Sequence, residues 1–337
     1  MVETTNISIG RQYNLDVGWR SVVQKGNVGK KYIYALQLRN DATEAYVLRG
    51  NPGSSIRTEI LHLTGSAGGH TQTWEYSGKK NKWFIGVKPS ASSPWDKQIA
   101  RVDIKTMSGT HSTNTDFPRI AYLNLAGRPD RPGKPGDRCT GANMSRVEAA
   151  VSPDYNWFLI ANVEINGTGH FAIYDMEAIN SALDQAGPNG FINLGDYKCK
   201  ESFTIEKFVS LWDKNGKIKQ KGIIDSIQGY DIDNKLNIYI SSQKSPEFNK
   251  TTGKFTAHHK EIVKIPHKTQ TEPSSWGHVN LSSWKGIDLS GKHSEVEGIQ
   301  ILDPDHAYVT VAYHAKVGKS NKTVLNMIYE LSWTWPQ

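Results

Sequence analysis

The sequence predicts an all-β protein, a single five-bladed β-propeller in which an N-terminal strand closes the last blade. Three observations carry that expectation. First, one short pattern occurs five times. It is a β-branched residue, then Gln or Glu, a polar turn, and an aromatic-aliphatic run. The copies are Val23-Gln24-Lys25-Gly26 before Tyr32–Leu36, Thr71-Gln72-Thr73-Trp74 before Trp83–Val87, and Val147-Glu148-Ala149-Ala150 before Trp157–Ala161. Ile227-Gln228-Gly229-Tyr230 before Asn237–Ser241 and Val296-Glu297-Gly298-Ile299 before Ala307–Val311 complete the set. A unit repeated every few tens of residues points to a propeller, solenoid or array, and strand-forming content selects the propeller. Second, 337 residues in five units give about 67 per unit, enough for a four-stranded blade with loops. Third, the last unit is one strand short, and Asn6-Ile7-Ser8-Ile9 at the other end can supply it, which removes exposed sheet edges.

The elements follow in order. In the first unit Ser21–Asn27, Tyr32–Arg39, Ala45–Arg49 and Thr58–Leu63 read as strands, being short, β-branched and bounded by turn residues. The later strands are Gln98–Ile104 and Arg119–Leu125 in the second unit, His170–Met176 and Glu201–Ile205 in the third, Glu261–Ile265 and Trp276–Leu281 in the fourth, and Thr323–Trp333 in the fifth. Ser77-Gly78, Pro153-Asp154, Asp233-Asn234 and Pro304-Asp305 supply the tight reversals. One helix is expected over Glu177–Ala186, with Ile179, Ala182, Leu183 and Ala186 on one face and Gly187-Pro188 ending it. The stretches Gly127–Ser145, Trp212–Lys221 and Ser245–Thr256 read as polar loops, not as further domains, so residues 1–337 are expected to form one domain.

Composition narrows the class. Apolar residues make up 37% of the chain, with 10 Trp, 14 Tyr and 9 Phe, enough for a substantial core. No run approaches the roughly 18 apolar residues of a membrane span, and Met1–Asn6 shows no basic start followed by an apolar stretch, so no signal peptide is visible. The formal charge of +7 serves solubility, or attraction to an anionic surface such as a bacterial wall or nucleic acid. Basic residues are scattered. Their one loose cluster, Arg128, Arg131, Lys134 and Arg138, is rich in Pro and Gly and does not resemble a groove-reading helix, so no nucleic-acid partner is expected. Cys139 and Cys199 form either one disulfide or two isolated thiols.

Zinc-helix, nucleophile-elbow and phosphate-loop signatures are all missing. Asp231-Ile232-Asp233-Asn234 begins like a calcium loop, but Lys235 follows and no Gly does, so it reads as a hairpin turn. The candidate ligand-binding residues are the repeated Gln24, Gln72, Glu148, Gln228 and Glu297, joined by His70, His293 and Trp74. If each blade's first strand is innermost, the five side chains gather at the axis. Their oxygens suit sugar hydroxyls or a hard cation; no cofactor is required, and calcium is the one ion in question. Such residues also tie neighbouring blades through backbone hydrogen bonds. His70 and His293 each lie just before a copy, where a solvated turn histidine is the ordinary outcome and hydrogen bonding to a ligand the alternative. A hydrolase reading keeps Glu148 and Glu297 as acid and base, the two carboxylates at equivalent positions. Trp19, Trp95, Trp276, Trp284 and Trp335 lie outside the strand cores, where indoles stack on sugar faces or pack between blades.

Longer strings carry a resemblance. Val22-Val23-Gln24-Lys25-Gly26-Asn27-Val28-Gly29, Gly68-Gly69-His70-Thr71-Gln72-Thr73-Trp74-Glu75, Glu148-Ala149-Ala150-Val151-Ser152-Pro153-Asp154-Tyr155, Lys292-His293-Ser294-Glu295-Val296-Glu297 and the ending Ile328-Tyr329-Glu330-Leu331-Ser332-Trp333 resemble the helveticin J family, from about residue 5 onward. The resemblance implies a large, heat-labile bacteriocin acting on related Gram-positive bacteria, secreted or surface-associated without an obvious leader. It supplies no catalytic residue. The expected partner is the bacterial cell envelope, as wall glycan or an anionic polymer. The alternatives are a glycoside hydrolase acting on wall polysaccharide and a lectin-like surface adhesin that does not kill.

Overall fold

The computed structural model describes residues 1–91, 93–127 and 143–336. Its five large sheets are the blades of a five-bladed β-propeller fold, and one α-helix occurs among the described residues. The chain divides into two compact units, Met1–Leu38 with Tyr46–Glu59 and Ser226–Gln337, and Arg39–Ala45 with Ile60–Asp225.

In the first unit, the fourth sheet runs Val2–Thr4, Gly277–Asn280, Lys260–Ile265, Ile238–Gln243, Ile227–Ile232. The fifth runs Ile7–Asn14, Ser320–Trp333, His306–Val317, His293–Asp303. The expected closure is present: Ile7 pairs with Trp333, Ile9 with Leu331 and Tyr13 with Ile328, antiparallel. The chain start does more than the sequence indicated, because Val2–Thr4 also lies parallel to Gly277–Asn280. Val296, Val309, Val311, Leu331 and Trp333 form one buried cluster beneath this sheet. Leu15, Val17, Val23 and Ile328 belong to another, so the residues just after the closing strand are anchored too. The innermost strands approach closely. A Cβ on Gly298 would stand 2.8 Å from the Gln24 carbonyl oxygen and 2.9 Å from Lys25 Cβ, and one on Gly229 would stand 2.9 Å from Gly298 Cα. Only a residue without a side chain permits that backbone approach.

In the second unit, the second sheet runs Phe191–Asn193, Arg119–Ala121, Ser93–Asp103, Lys82–Ser90, Trp74–Tyr76. The third runs Met144–Val151, Trp157–Glu164, Gly169–Asp175, Glu201–Ile205. The helix Met176–Ala186 follows the third strand of that blade, capped by Asp175, whose carboxylate accepts the Ala178 amide at 2.8 Å. Ile179, Ala182 and Leu183 are buried as the sequence spacing required, beside Phe84 and Phe158. Two stretches read as plain loops contain hairpins instead. In the second unit Leu211–Trp212 pairs with Ile218–Gln220, and in the first Glu247–Asn249 pairs with Lys254–Thr256, where Phe248 faces Phe255 across the ladder. An aromatic cross-strand pair stabilises such a short ribbon. The Asp233 turn is the expected hairpin: its carboxylate accepts the amides of Lys235 (2.8 Å) and Asn237 (3.0 Å). The basic run Arg128, Arg131, Lys134 and Arg138, and Cys139, fall outside the described residues; Cys199 is buried in the second unit's core.

Candidate functional site

In the first unit the repeated polar residues stand on irregular backbone. The ladder register shifts between Val23 and Lys25, between Ile227 and Gly229, and between Val296 and Ile299. Gln24, Gln228 and Glu297 therefore sit at β-bulges. A bulge inserts an extra residue and re-aims its side chain, and such features concentrate beside functional sites. Gln228 Nε2 donates to the Gln243 carbonyl at 2.7 Å and to Glu295 Oε1 at 3.3 Å. Glu295 also meets His314 at 2.7 Å and takes a hydrogen bond from the Ser245 hydroxyl. Gln243 continues the network, donating to the Ser294 carbonyl at 2.8 Å and accepting the Val296 amide at 2.9 Å. The Glu297 carbonyl accepts from the Ser241 hydroxyl. Gln228, Glu295 and Glu297 are buried; Gln24 is half-buried. His293 is not a solvated turn residue. Its ring stacks on Phe255 with centroids 4.0 Å apart, and burial, then the charge of His314, pushes its pKa down.

The second unit holds the other two repeat residues, connected by one arginine. Arg146 Nε donates to Glu148 and Nη2 to Gln72. Its guanidinium lies 4.2 Å from the centre of the Trp95 ring, a cation–π contact. His70 stacks on that same indole at 3.8 Å and 14°. Burial, with the Arg146 charge as a second cause, takes the His70 pKa down to about 3, so the imidazole is neutral at physiological pH and half-buried against the indole, contrary to the solvated histidine expected. Lys97 Nζ donates to the carbonyls of Met144 and Ser145 at 2.7 Å each and pins the start of the Glu148 strand at its own register shift. The Ala149 amide donates to Thr73 Oγ1 at 3.0 Å, tying the third blade's first strand to the second. Trp74 is corrected outright. It is 0% exposed and lies flat on Trp83 at 4.8 Å, so it is packing and offers no face to a ligand.

Three side chains that sequence reasoning passed over organise these networks: Arg146, Glu295 and Gln243. The first two stand two residues before the repeated Gln or Glu, on the same alternation of the strand. That position reads Val22, His70, Arg146, Ser226 and Glu295 across the copies, so no single chemistry recurs to mark it. Among the described residues no group of three His, Cys, Asp or Glu side chains converges to hold a metal ion.

Asp96 is fully buried, neither carboxyl oxygen has a hydrogen-bond partner, and it packs against Gly69 and Gly86. Burial raises its pKa well above the ordinary value, and Lys97 offsets only part of that. The sign follows from linkage. The native state keeps the proton while the unfolded chain loses it near pH 4, so the stability is fully present below that pH and is lost as pH rises toward the native pKa, by about 1.4 kcal/mol per unit at most. We expect Asp96→Asn to flatten this slope, so that its urea midpoint relative to the parent protein rises between pH 5 and pH 8. Parallel pH profiles for the two proteins would contradict the assignment.

The blades thus carry buried polar clusters around their first strands, in which Arg146 engages Glu148 and Gln72, and Gln228 engages Gln243 and Glu295: the fold is a propeller with polar groups packed between its innermost strands. The comparisons place the chain more closely. The bacteriocin helveticin-J family model matches residues 3–334, and bacteriocin helveticin-J of Lactobacillus helveticus is 50% identical over 347 aligned positions, covering 98% of each chain. The chain belongs to the helveticin-J bacteriocin family. Among solved structures, the tail fibre of Staphylococcus aureus phage P68 superposes with a TM-score of 0.52 at 12% identity over 98% of this chain; this chain spans about half (53%) of the fibre chain, and the likeness concerns the fold. The GH43_1 enzyme of Xanthomonas citri, solved with xylose, has a TM-score of 0.46 at 9% identity over 97% of this chain and 92% of that one.

Proposed function

We propose that the protein is a bacteriocin that recognises a component of the Gram-positive cell envelope, wall glycan or an anionic wall polymer, outside the producing cell. The observation that carries this reading is the 50% identity, end to end, with a bacteriocin. The charge of +7 supports it: a cationic protein concentrates at an anionic wall and meets it faster at low ionic strength. No helix among the described residues is long and apolar enough to cross a membrane. Of the candidate residues, Gln72, Glu148 and Gln228 are engaged within the protein, and the bulged Gln24, the most open of the five repeated positions, would be the one to contact a ligand, with His293 near Glu297 on the innermost strand of the fifth blade.

Two assays test the proposal together. The purified protein should give a zone of inhibition on a sensitive Gram-positive lawn, and purified walls incubated with it should release no new reducing ends. No zone would leave a non-killing adhesin. Reducing ends that vanish in Glu148→Gln and Glu297→Gln would make it a glycoside hydrolase.

A further inference from the structure

A cleft of about 300 Å³ lies in the first unit, away from the clusters above, between the segment Asn14–Arg20 and residues 323–326 of the last strand. It holds the one exposed tryptophan of the ten. Trp19 is 58% exposed, whereas the other nine are buried or half-buried. An exposed indole is unremarkable on a floppy loop, but this segment is held. Gly18 takes φ +71°, and the Arg57 side chain lies where a Cβ would be, its Nε 3.3 Å away. Arg57 is in turn clamped by both carboxylate oxygens of Asp16 at 2.7 and 2.8 Å. The Trp19 carbonyl accepts the Ser21 amide at 3.0 Å and Gln37 Nε2 at 3.3 Å. Leu15 and Val17 plug into the core on one side, and the buried Asn326 ties the other, accepting the Val23 amide and donating to the Ser21 carbonyl, each at 3.0 Å.

The walls around the indole are mixed: half-buried Val324 and Leu325 add apolar surface, and Asn14 and Arg20 supply polar groups. Asn14 and Arg20 are exposed, and no hydrogen bond or ion pair engages the Arg20 side chain among the described residues. Asp16 already has its counter-ion in Arg57. A wholly apolar ligand would cover the ring, Val324 and Leu325 but would strip water from the Asn14 amide and the Arg20 guanidinium without replacing it. A pyranose fits both features: its C–H face stacks on an aromatic plane while its hydroxyls take hydrogen bonds from amide and guanidinium donors at the rim. The volume is that of a small ligand site. Gly18, the Arg57–Asp16 pair and the bonds to the Trp19 carbonyl fix the backbone that carries the indole, which lowers the ordering cost of binding.

We propose that the Trp19 cleft is a saccharide-binding subsite and that it takes a pyranose unit of the wall glycan. This rests on the envelope-recognition reading and supplies it with a location distinct from the repeated Gln and Glu positions. The test uses purified Gram-positive walls, intact and stripped of anionic polymers by acid, and co-sedimentation at 0.5 M NaCl, where charge attraction is screened. The intact protein should bind both wall preparations. Trp19→Ala should weaken binding to stripped walls about tenfold, and Trp19→Phe should keep most of it, with unfolding midpoints unchanged because the side chain is exposed. Equal binding by Trp19→Ala and the parent overturns the cleft and leaves envelope recognition standing. Binding to intact walls alone, lost in salt, overturns it in favour of an anionic polymer. No binding of the parent to either preparation overturns both readings.

Discussion

Replacing Arg146 by alanine should destabilise the protein by roughly 3–5 kcal/mol, the range seen when one partner of a buried ion pair is removed. The carboxylate it engages, Glu148, has 1% side-chain exposure, and Arg146 itself 14%. Without the guanidinium, the buried Glu148 carboxyl loses its counter-charge, Gln72 loses a donor, and the Trp95 ring loses its cation. Arg146→Lys should recover only part of the loss, because an ammonium cannot present the fork that meets Glu148 and Gln72 together. Arg146→Ala combined with Glu148→Gln should be more stable than Arg146→Ala alone, since the stranded charge is gone. Urea unfolding of the four proteins measures this. A change under about 1 kcal/mol for Arg146→Ala would mean that the cluster is solvated and is not a structural tie, which would return Glu148 to the list of ligand-accessible groups.

Removing residues 1–13 should abolish cooperative folding. The strand Ile7–Asn14 contributes six paired positions to Ser320–Trp333, and Val2–Thr4 three more to Gly277–Asn280. At about 0.5–1.5 kcal/mol net per ladder hydrogen bond the first strand alone is worth several kcal/mol, against a typical margin of about 5–15 kcal/mol. The truncation also leaves the strand Ser320–Trp333 as a bare sheet edge, a template for aggregation. A single sharp urea transition in the full chain should become a broad one, or the protein should precipitate. A truncated chain unfolding at the parent midpoint would show that the chain ends do not hold the fifth blade.

The parts of the fold that were legible are those set by local pattern. Thr58–Leu63 and Glu201–Ile205 have the expected bounds, and the helix differs by one residue. These runs are β-branched and aromatic, or apolar at helical spacing, so neighbouring residues decide their state. The parallel outer strands Val2–Thr4, Gly109–His111 and Phe191–Asn193 were not legible. Each is three residues long and is a strand only because a distant edge pairs with it. The site shows the same division. Repetition exposed Gln24, Gln72, Glu148, Gln228 and Glu297, but it says nothing about what a side chain meets. Arg146 looks like any arginine in the chain until Glu148, Gln72 and Trp95 surround it, and Asp96 looks like a surface acid until Gly69 and Gly86 close over it. Trp19 was one of five loop tryptophans in the sequence. Its fellows Trp95 and Trp276 are taken up by His70 stacking and by the core.

Killing in the presence of free wall fragments addresses the functional reading most directly. Soluble glycan released from the walls of a sensitive strain should protect living cells in proportion to its concentration, and the parent protein should need correspondingly more to clear the lawn. Undiminished killing at saturating fragment, with no protein retained on the intact walls, would contradict recognition of the envelope by this propeller.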